Sequence, residues 1–134
     1  TAYRRQRQMC IRDSYMTHAF VEPHKDFEVN QISIIQDIYT KVGEENNVLV
    51  IPVGLAFDIA YKELPDIKLH HDDGTHPNLK GTYLAACTVF ASVYGESPIG
   101  LKYDYYGAIN KEDKKLLQEI AHKATLKYLK RTIN

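Results

Sequence analysis

The 134-residue sequence has no uninterrupted apolar run near the ~18 residues that a membrane span needs. No apolar stretch with signal-peptide character follows its start either. It also lacks an excess of either charge. Basic and acidic residues number 17 each, and a net charge of zero gives no electrostatic case for nucleic acid or an anionic membrane as partner. Cysteine is scarce. Cys10 and Cys87 are too few for a disulfide framework and do not have zinc-ligand spacing. No internal repeat or low-complexity tract is visible. What remains is 44% hydrophobic and 25% charged, the composition of one ordinary soluble globular domain.

The first residues stand apart. Arg4 to Ser14 has an arginine and glutamine cluster with neither a helical nor a strand period. Residues 4–13 resemble, without a gap, the translation of one frame of a transposase-type sequencing adaptor. That likeness assigns residues 1–14 to adaptor-derived sequence. It assigns 15–134 to the C-terminal part of one domain, a metagenomic fragment whose own N-terminus is lost. Residues 14–134 then carry 13 basic and 16 acidic side chains, a net of −3, with Cys87 as their one cysteine.

Further along, Tyr15-Met16-Thr17 reads as the end of a strand. Val29, Ile32, Ile35, Tyr39 and Val42 recur at helical spacing, with Gly43 as the stop. Val48 to Val53 is a nearly all-apolar run suited to a strand buried on both faces. Leu55 to Leu64 reads as a helix closed by Pro65, and Ile67 to His70 as a short strand. Asn78 is a good N-cap for a helix whose stripe is Tyr83, Ala86, Cys87, Phe90, Val93 and Tyr94, ending at Gly95. A loop with Tyr103, Tyr105 and Tyr106 follows. Asn110 with Asp113 then opens a last amphipathic helix through Leu117, Ile120, Ala121, Ala124 and Tyr128. This alternation predicts an α/β layered fold with a parallel sheet.

The chemistry is concentrated in His70-His71-Asp72-Asp73-Gly74-Thr75-His76-Pro77, between a short strand and a helix. In open parallel sheets ligands bind beyond the carboxyl ends of strands. Asp73 stands three residues before His76, and Gly74 permits a tight turn between them. An aspartate so placed accepts a hydrogen bond from one imidazole nitrogen. It fixes the tautomer and stabilises the imidazolium when the other nitrogen takes a proton.

Asp73-Gly74-Thr75-His76-Pro77 resembles the last block of the SGNH (GDSL-type) hydrolases, Asp-x-x-His followed by Pro. The likeness extends from Asp73 to Cys87 and on to Gly95-Glu96-Ser97-Pro98-Ile99-Gly100. Upstream it includes Tyr15-Met16-Thr17 and Pro52-Val53-Gly54 with Ala56. It implies a three-layer α/β/α, flavodoxin-like SGNH hydrolase fold whose N-terminal part is missing. It also implies Asp73 as orienting carboxylate and His76 as general base and then acid. The family's serine, glycine and asparagine blocks are not in this chain. His18 stands where the subgroup often has tryptophan.

Several residues imitate parts of such a site. Arg12-Asp13-Ser14-Tyr15 looks like a Gly-Asp-Ser-Leu block, but it lacks the glycine and lies too close to His76. Asn46 and Asn47 imitate the asparagine block, but they precede the strand at Val48 and so sit at its far end. His70, His71, Asp72, Asp73 and His76 are all metal-ligand types, but neighbours in a strand point to opposite faces. Cys87 lies on an apolar helix face and reads as packing. The tyrosine loop offers aromatic faces on which a pyranose stacks. The expectation the resemblance implies is the C-terminal part of a serine esterase acting on small-molecule or carbohydrate esters, carbohydrate acetyl esters included, without cofactor or metal. The alternative is a non-catalytic α/β domain binding a partner or polysaccharide. Localisation (secretion or the periplasm included) and oligomeric state are not legible in these residues.

Overall fold

The computed structural model describes residues 13–130. The adaptor-like residues 1–12, with Cys10, lie outside them, and Asp13 at their edge is exposed. In chain order the elements are β1 (Ser14–Tyr15), α1 (Gln31–Asn46), β2 (Val50–Ile51), α2 (Val53–Glu63), α3 (Leu79–Tyr94) and α4 (Lys111–Leu129). Among the described residues helix accounts for 53% and strand for 5%, so the expected three-layer α/β/α architecture is corrected there to a helical fold around one two-stranded parallel sheet.

The strands are shorter than expected for local reasons. Val48 to Val53 yields only Val50–Ile51, because Pro52 has no N–H for a ladder and Val53 already begins α2. Both strand residues are buried. They pair with β1 in the register Ser14 to Val50 and Tyr15 to Ile51. The backbone continues the pairing by one bond on either side. Ser14 N–H donates to Leu49 O at 2.7 Å and Met16 N–H to Ile51 O at 3.0 Å. A parallel pair needs a crossover, and α1 supplies it. Ile67 to His70 is not a strand. It makes one isolated antiparallel bridge, His70 to Pro77.

The helices follow the sequence more closely. Gly43 does not stop α1; it is buried inside the helix against Val50, and Asn47 closes it in the left-handed region. The Asn78 side chain caps α3 by accepting from Gly81 N at 3.1 Å, and Gly95 ends it with φ 70°. Asn110 caps α4 by accepting from Asp113 N at 2.8 Å, and Asp113 accepts in return from the Asn110 side-chain amide at 2.6 Å. The core lies where α2, α3 and α4 meet over β2. Phe57, Leu84 and Leu117 are fully buried there, together with Met16 and Leu69.

Gly81 sets how closely α3 approaches the segment before the polar loop. A Cβ there would stand 2.2 Å from the Leu69 carbonyl oxygen and 3.1 Å from the Phe57 ring. Backbone cannot move aside as a side-chain tip can. Gly81→Ala is therefore expected to destabilise the fold by ~1–3 kcal/mol despite alanine's better helix propensity. Urea denaturation of the two proteins measures this.

Candidate active site

Residues 70–77 form a loop closed at its neck. His71 N–H donates to His76 O at 2.8 Å, and Asn78 N–H to Leu69 O at 2.8 Å. Gly74 turns the loop with φ 69°. A Cβ on it would meet the Val21 carbonyl oxygen at 2.1 Å, so only glycine fits.

Within the turn Asp73 uses both carboxylate oxygens. Oδ1 accepts from the backbone N–H groups of Thr75 and His76, each at 2.9 Å. Oδ2 lies 2.7 Å from His76 Nδ1. These three bonds, that from the His76 ring first, hold the Asp73 carboxyl well below the usual carboxylate range. An ionised carboxylate only accepts, so Nδ1 of His76 carries the proton. Nε2 of a neutral His76 is then left with its lone pair, the arrangement of a general base with an orienting carboxylate. The pair sits at the surface, with the His76 side chain 74% exposed and that of Asp73 48%. An ion pair so exposed adds little to stability. The turn bonds from Asp73 Oδ1 are its structural share.

The other loop residues do not join this pair. His71 and Asp72 are exposed, whereas the His70 ring is buried. Among the described residues no group of three or more His, Cys, Asp or Glu side chains is arranged to hold a metal ion. Ser14 opens β1, whereas His18, just past the strand's other end, donates from Nε2 to the Thr75 carbonyl at 2.8 Å. Four residues of extended chain span ~13 Å, so Ser14 is not brought to His76. Asn46 donates its side-chain amide to Val42 O at 2.9 Å, and Asn47 caps α1, both at the far end of β2. Cys87 is buried on α3, and burial pushes its thiol up to about 11, which suits packing and not nucleophilic attack.

Sequence reasoning missed the support behind the dyad. The His18 ring stacks on Phe57 at 4.8 Å and meets the His70 ring edge-on at the same distance. Tyr61 OH accepts from Leu69 N at 3.3 Å and lies 2.6 Å from His70 Nδ1. The tyrosine thus has its own proton free for that nitrogen, which makes His70 a neutral acceptor. Burial, with His18 alongside, lowers its pKa to about 4, against the opposing pull of Asp73. The one signal in the sequence was His18 itself, a polar ring directly after a strand end.

Two hollows flank this support. A cleft of about 860 Å³ lies between the segment after β1 and α2, with Phe20, Phe27, Phe57, Tyr61 and His70 among its walls. A smaller hollow of about 290 Å³ is lined by Thr17, His18, Phe20, Gln31, Thr75 and His76. The larger cleft does not include the dyad. Chemistry, not size, locates the candidate site in the smaller one.

With the geometry described, comparison with known proteins adds the fold. No protein-family model matches the chain, and no curated protein does. A crystal structure of a DUF4886 family protein from Bacteroides uniformis matches with a TM-score of 0.78 at 23% identity. The match covers 90% of this chain and 49% of that one, so this chain spans about half the length of the protein it resembles. At that identity the likeness shows a shared fold alone. The match bears the name DUF4886, so the labels SGNH, GDSL, hydrolase and esterase drawn from the motif find no support in the comparison and are corrected as names for this chain; the comparison does not bear on what the Asp73–His76 pair does.

His70 supplies a pH test. Its folded pKa lies below the ordinary 6.5, so the unfolded chain binds more protons between pH 6.5 and about 4. Stability from this residue is full above pH 6.5 and falls as the pH drops through that window. Between pH 7 and 5 the expected loss is ~2 kcal/mol. Denaturant unfolding at the two pH values should show it, with the loss much reduced in His70→Gln.

Proposed function

We propose that Asp73 and His76 are the acid–base half of an acyl-ester hydrolase that works through a serine acyl-enzyme. The observation that carries the reading is the 2.7 Å contact from His76 Nδ1 to a carboxylate already fixed by two backbone N–H groups. His76 Nε2 takes the proton of a serine hydroxyl as its oxygen attacks the acyl carbon. The imidazolium, stabilised by Asp73, then gives that proton to the departing alkoxide. Water repeats the sequence on the acyl-enzyme and releases the acid.

Among the described residues lining the hollow at His76 there is no serine or cysteine. In this reading the serine is therefore a group that the described residues do not bring into this hollow. Losing one oxyanion donor alone costs ~10²–10³ in rate. The 134-residue chain is accordingly expected to give no hydrolysis of 4-nitrophenyl acetate beyond that of an exposed histidine. Strong turnover abolished by His76→Ala would reveal a nucleophile within these residues, with Ser14 and Ser97 the first to mutate.

The dyad has a reading independent of turnover. Carbon-detected titration of the Asp73 carboxyl should place its midpoint below the ordinary 3.8. His76→Ala should bring it back upward, though not fully, because the two backbone bonds remain. An unchanged midpoint in that variant would mean that the ring does not engage the carboxylate in solution. The sign for stability follows: the contribution of Asp73 is present above the ordinary carboxylate range and is lost only as the pH falls through its lowered pKa.

A further inference from the structure

The loop between α3 and α4 carries an aromatic cluster that the dyad does not use. Tyr103, Tyr105 and Tyr106 are 54%, 43% and 94% exposed. Their rings meet edge-on, Tyr103 with Tyr105 at 61° and with Tyr106 at 78°, each at 6.0 Å. No ring stacks flat on another, and Tyr106 presents nearly its whole surface to solvent. Tyr105 and Tyr106 both hold the left-handed region, φ 60° and 58°. Bulky residues rarely adopt it, and two in succession need a frame that enforces them.

The frame is present and largely buried. Gln118 on α4 is 2% exposed. Its amide donates to Tyr83 OH at 2.9 Å and to Leu101 O at 3.0 Å, and its oxygen accepts from Gly100 N at 2.9 Å. Tyr83 OH donates in turn to Tyr103 O at 2.9 Å. Asp104 Oδ1 accepts from Gly107 N at 2.8 Å, closing the turn beneath the rings. The loop is also tied to α3, the helix that follows His76, through Tyr83, and the first turn of α4 is tied to α3 through Lys80 with Asp113 at 2.7 Å. The tyrosines and the dyad thus share one support.

We infer that this loop is a carbohydrate-binding platform that holds the sugar side of an ester or polysaccharide substrate. Residues 102–107 carry three tyrosines and no aliphatic residue, so the exposed apolar surface they offer consists of aromatic faces. They set aromatic faces beside Lys102 and Asp104, and Lys114 reaches the same turn. Flat C–H-rich pyranose faces stack on such rings, and their hydroxyls take hydrogen bonds from such a rim. The inference rests on the ester-hydrolysis reading for the ester alone. Sugar binding stands or falls separately, because its test reads no bond cleavage.

The test is native affinity electrophoresis of the 134-residue chain in gels containing xylan, mixed-linkage β-glucan or galactomannan. At least one should retard it. In the double variant Tyr105→Gly and Tyr106→Gly, glycine takes the left-handed conformation without strain. That variant should therefore fold and melt at the same or a higher temperature, yet lose affinity roughly tenfold or more. Higher stability with lost binding is a pattern that a merely structural role would not produce. No retardation by any of the three, or retardation unchanged in the variant, overturns the inference. So does binding to phosphatidylglycerol vesicles that the same variant abolishes, which would mark the rings as a lipid-facing patch.

Discussion

The geometry of the candidate site hangs on Asn78. Its side-chain oxygen caps α3 through Gly81 N, while its side-chain amide donates to Lys68 O at 2.8 Å and His70 O at 3.3 Å. Its backbone N–H holds Leu69 O. One residue therefore fixes the start of a helix to the segment on the other side of an eight-residue loop. With the neck pinned, the chain must reverse within residues 71–76, and Gly74 in the left-handed region makes that reversal. The Asp73 and His76 side chains then meet because a carboxylate at the first position of such a turn naturally accepts from the N–H groups two and three residues on. The dyad is a product of the turn, and the turn is a product of the neck.

Behind the loop the burial is asymmetric. His70 and Leu69 go inward against Phe57 and Tyr61, while His71, Asp72 and His76 stay outside. The buried ring is held neutral by Tyr61 and its burial, and the surface ring is held by a carboxylate. Environment thus gives the two histidines different chemistry. His70 has an acceptor nitrogen occupied by Tyr61 and cannot serve a substrate there. His76 keeps an outward nitrogen and can. His18 connects the two, touching the His70 ring and bonding the carbonyl of Thr75, next to His76.

Local signals were legible in the sequence where a single residue type fits a single backbone need. Asn78 and Asn110 as caps, Gly95 as a helix end and Gly74 as the turn were readable on those grounds. The Asp73–His76 spacing was readable because three residues is the reach of such a turn. The parallel pairing of Tyr15 with the run at Val48 to Val53 was legible, but the extent of the sheet was not. The apolar run at Val48 to Val53 looks like a central strand, but Pro52 ends the ladder after two pairs. Ile67 to His70 has strand-like composition but finds only Pro77 as a bridge partner. Gly43 looked like a helix stop and instead lets α1 pack against Val50. The cluster of His18, Phe57, Tyr61 and His70 was not legible beyond His18 because that ring lies 39 to 52 residues from the other three and meets them only after folding.

The exposure of the dyad bears on what it can do. A hydrogen bond from a histidine to a buried carboxylate gains strength from the low dielectric around it. Here water reaches both partners, and the Asp73 carboxylate is held chiefly by hydrogen bonds and not by field strength. Such a pair orients the ring well but activates it modestly. Catalysis by general base depends on the imidazole being aimed at a hydroxyl in a space from which water is excluded. The hollow at His76 offers Phe20, Ile35 and Pro77 as apolar wall, but it remains open on one side. A hydrolytic centre built on this dyad therefore needs a further surface laid over His76, one that brings the hydroxyl and dries the site together. The orienting half can be complete while the activating half is still to be supplied, because the first depends only on the turn.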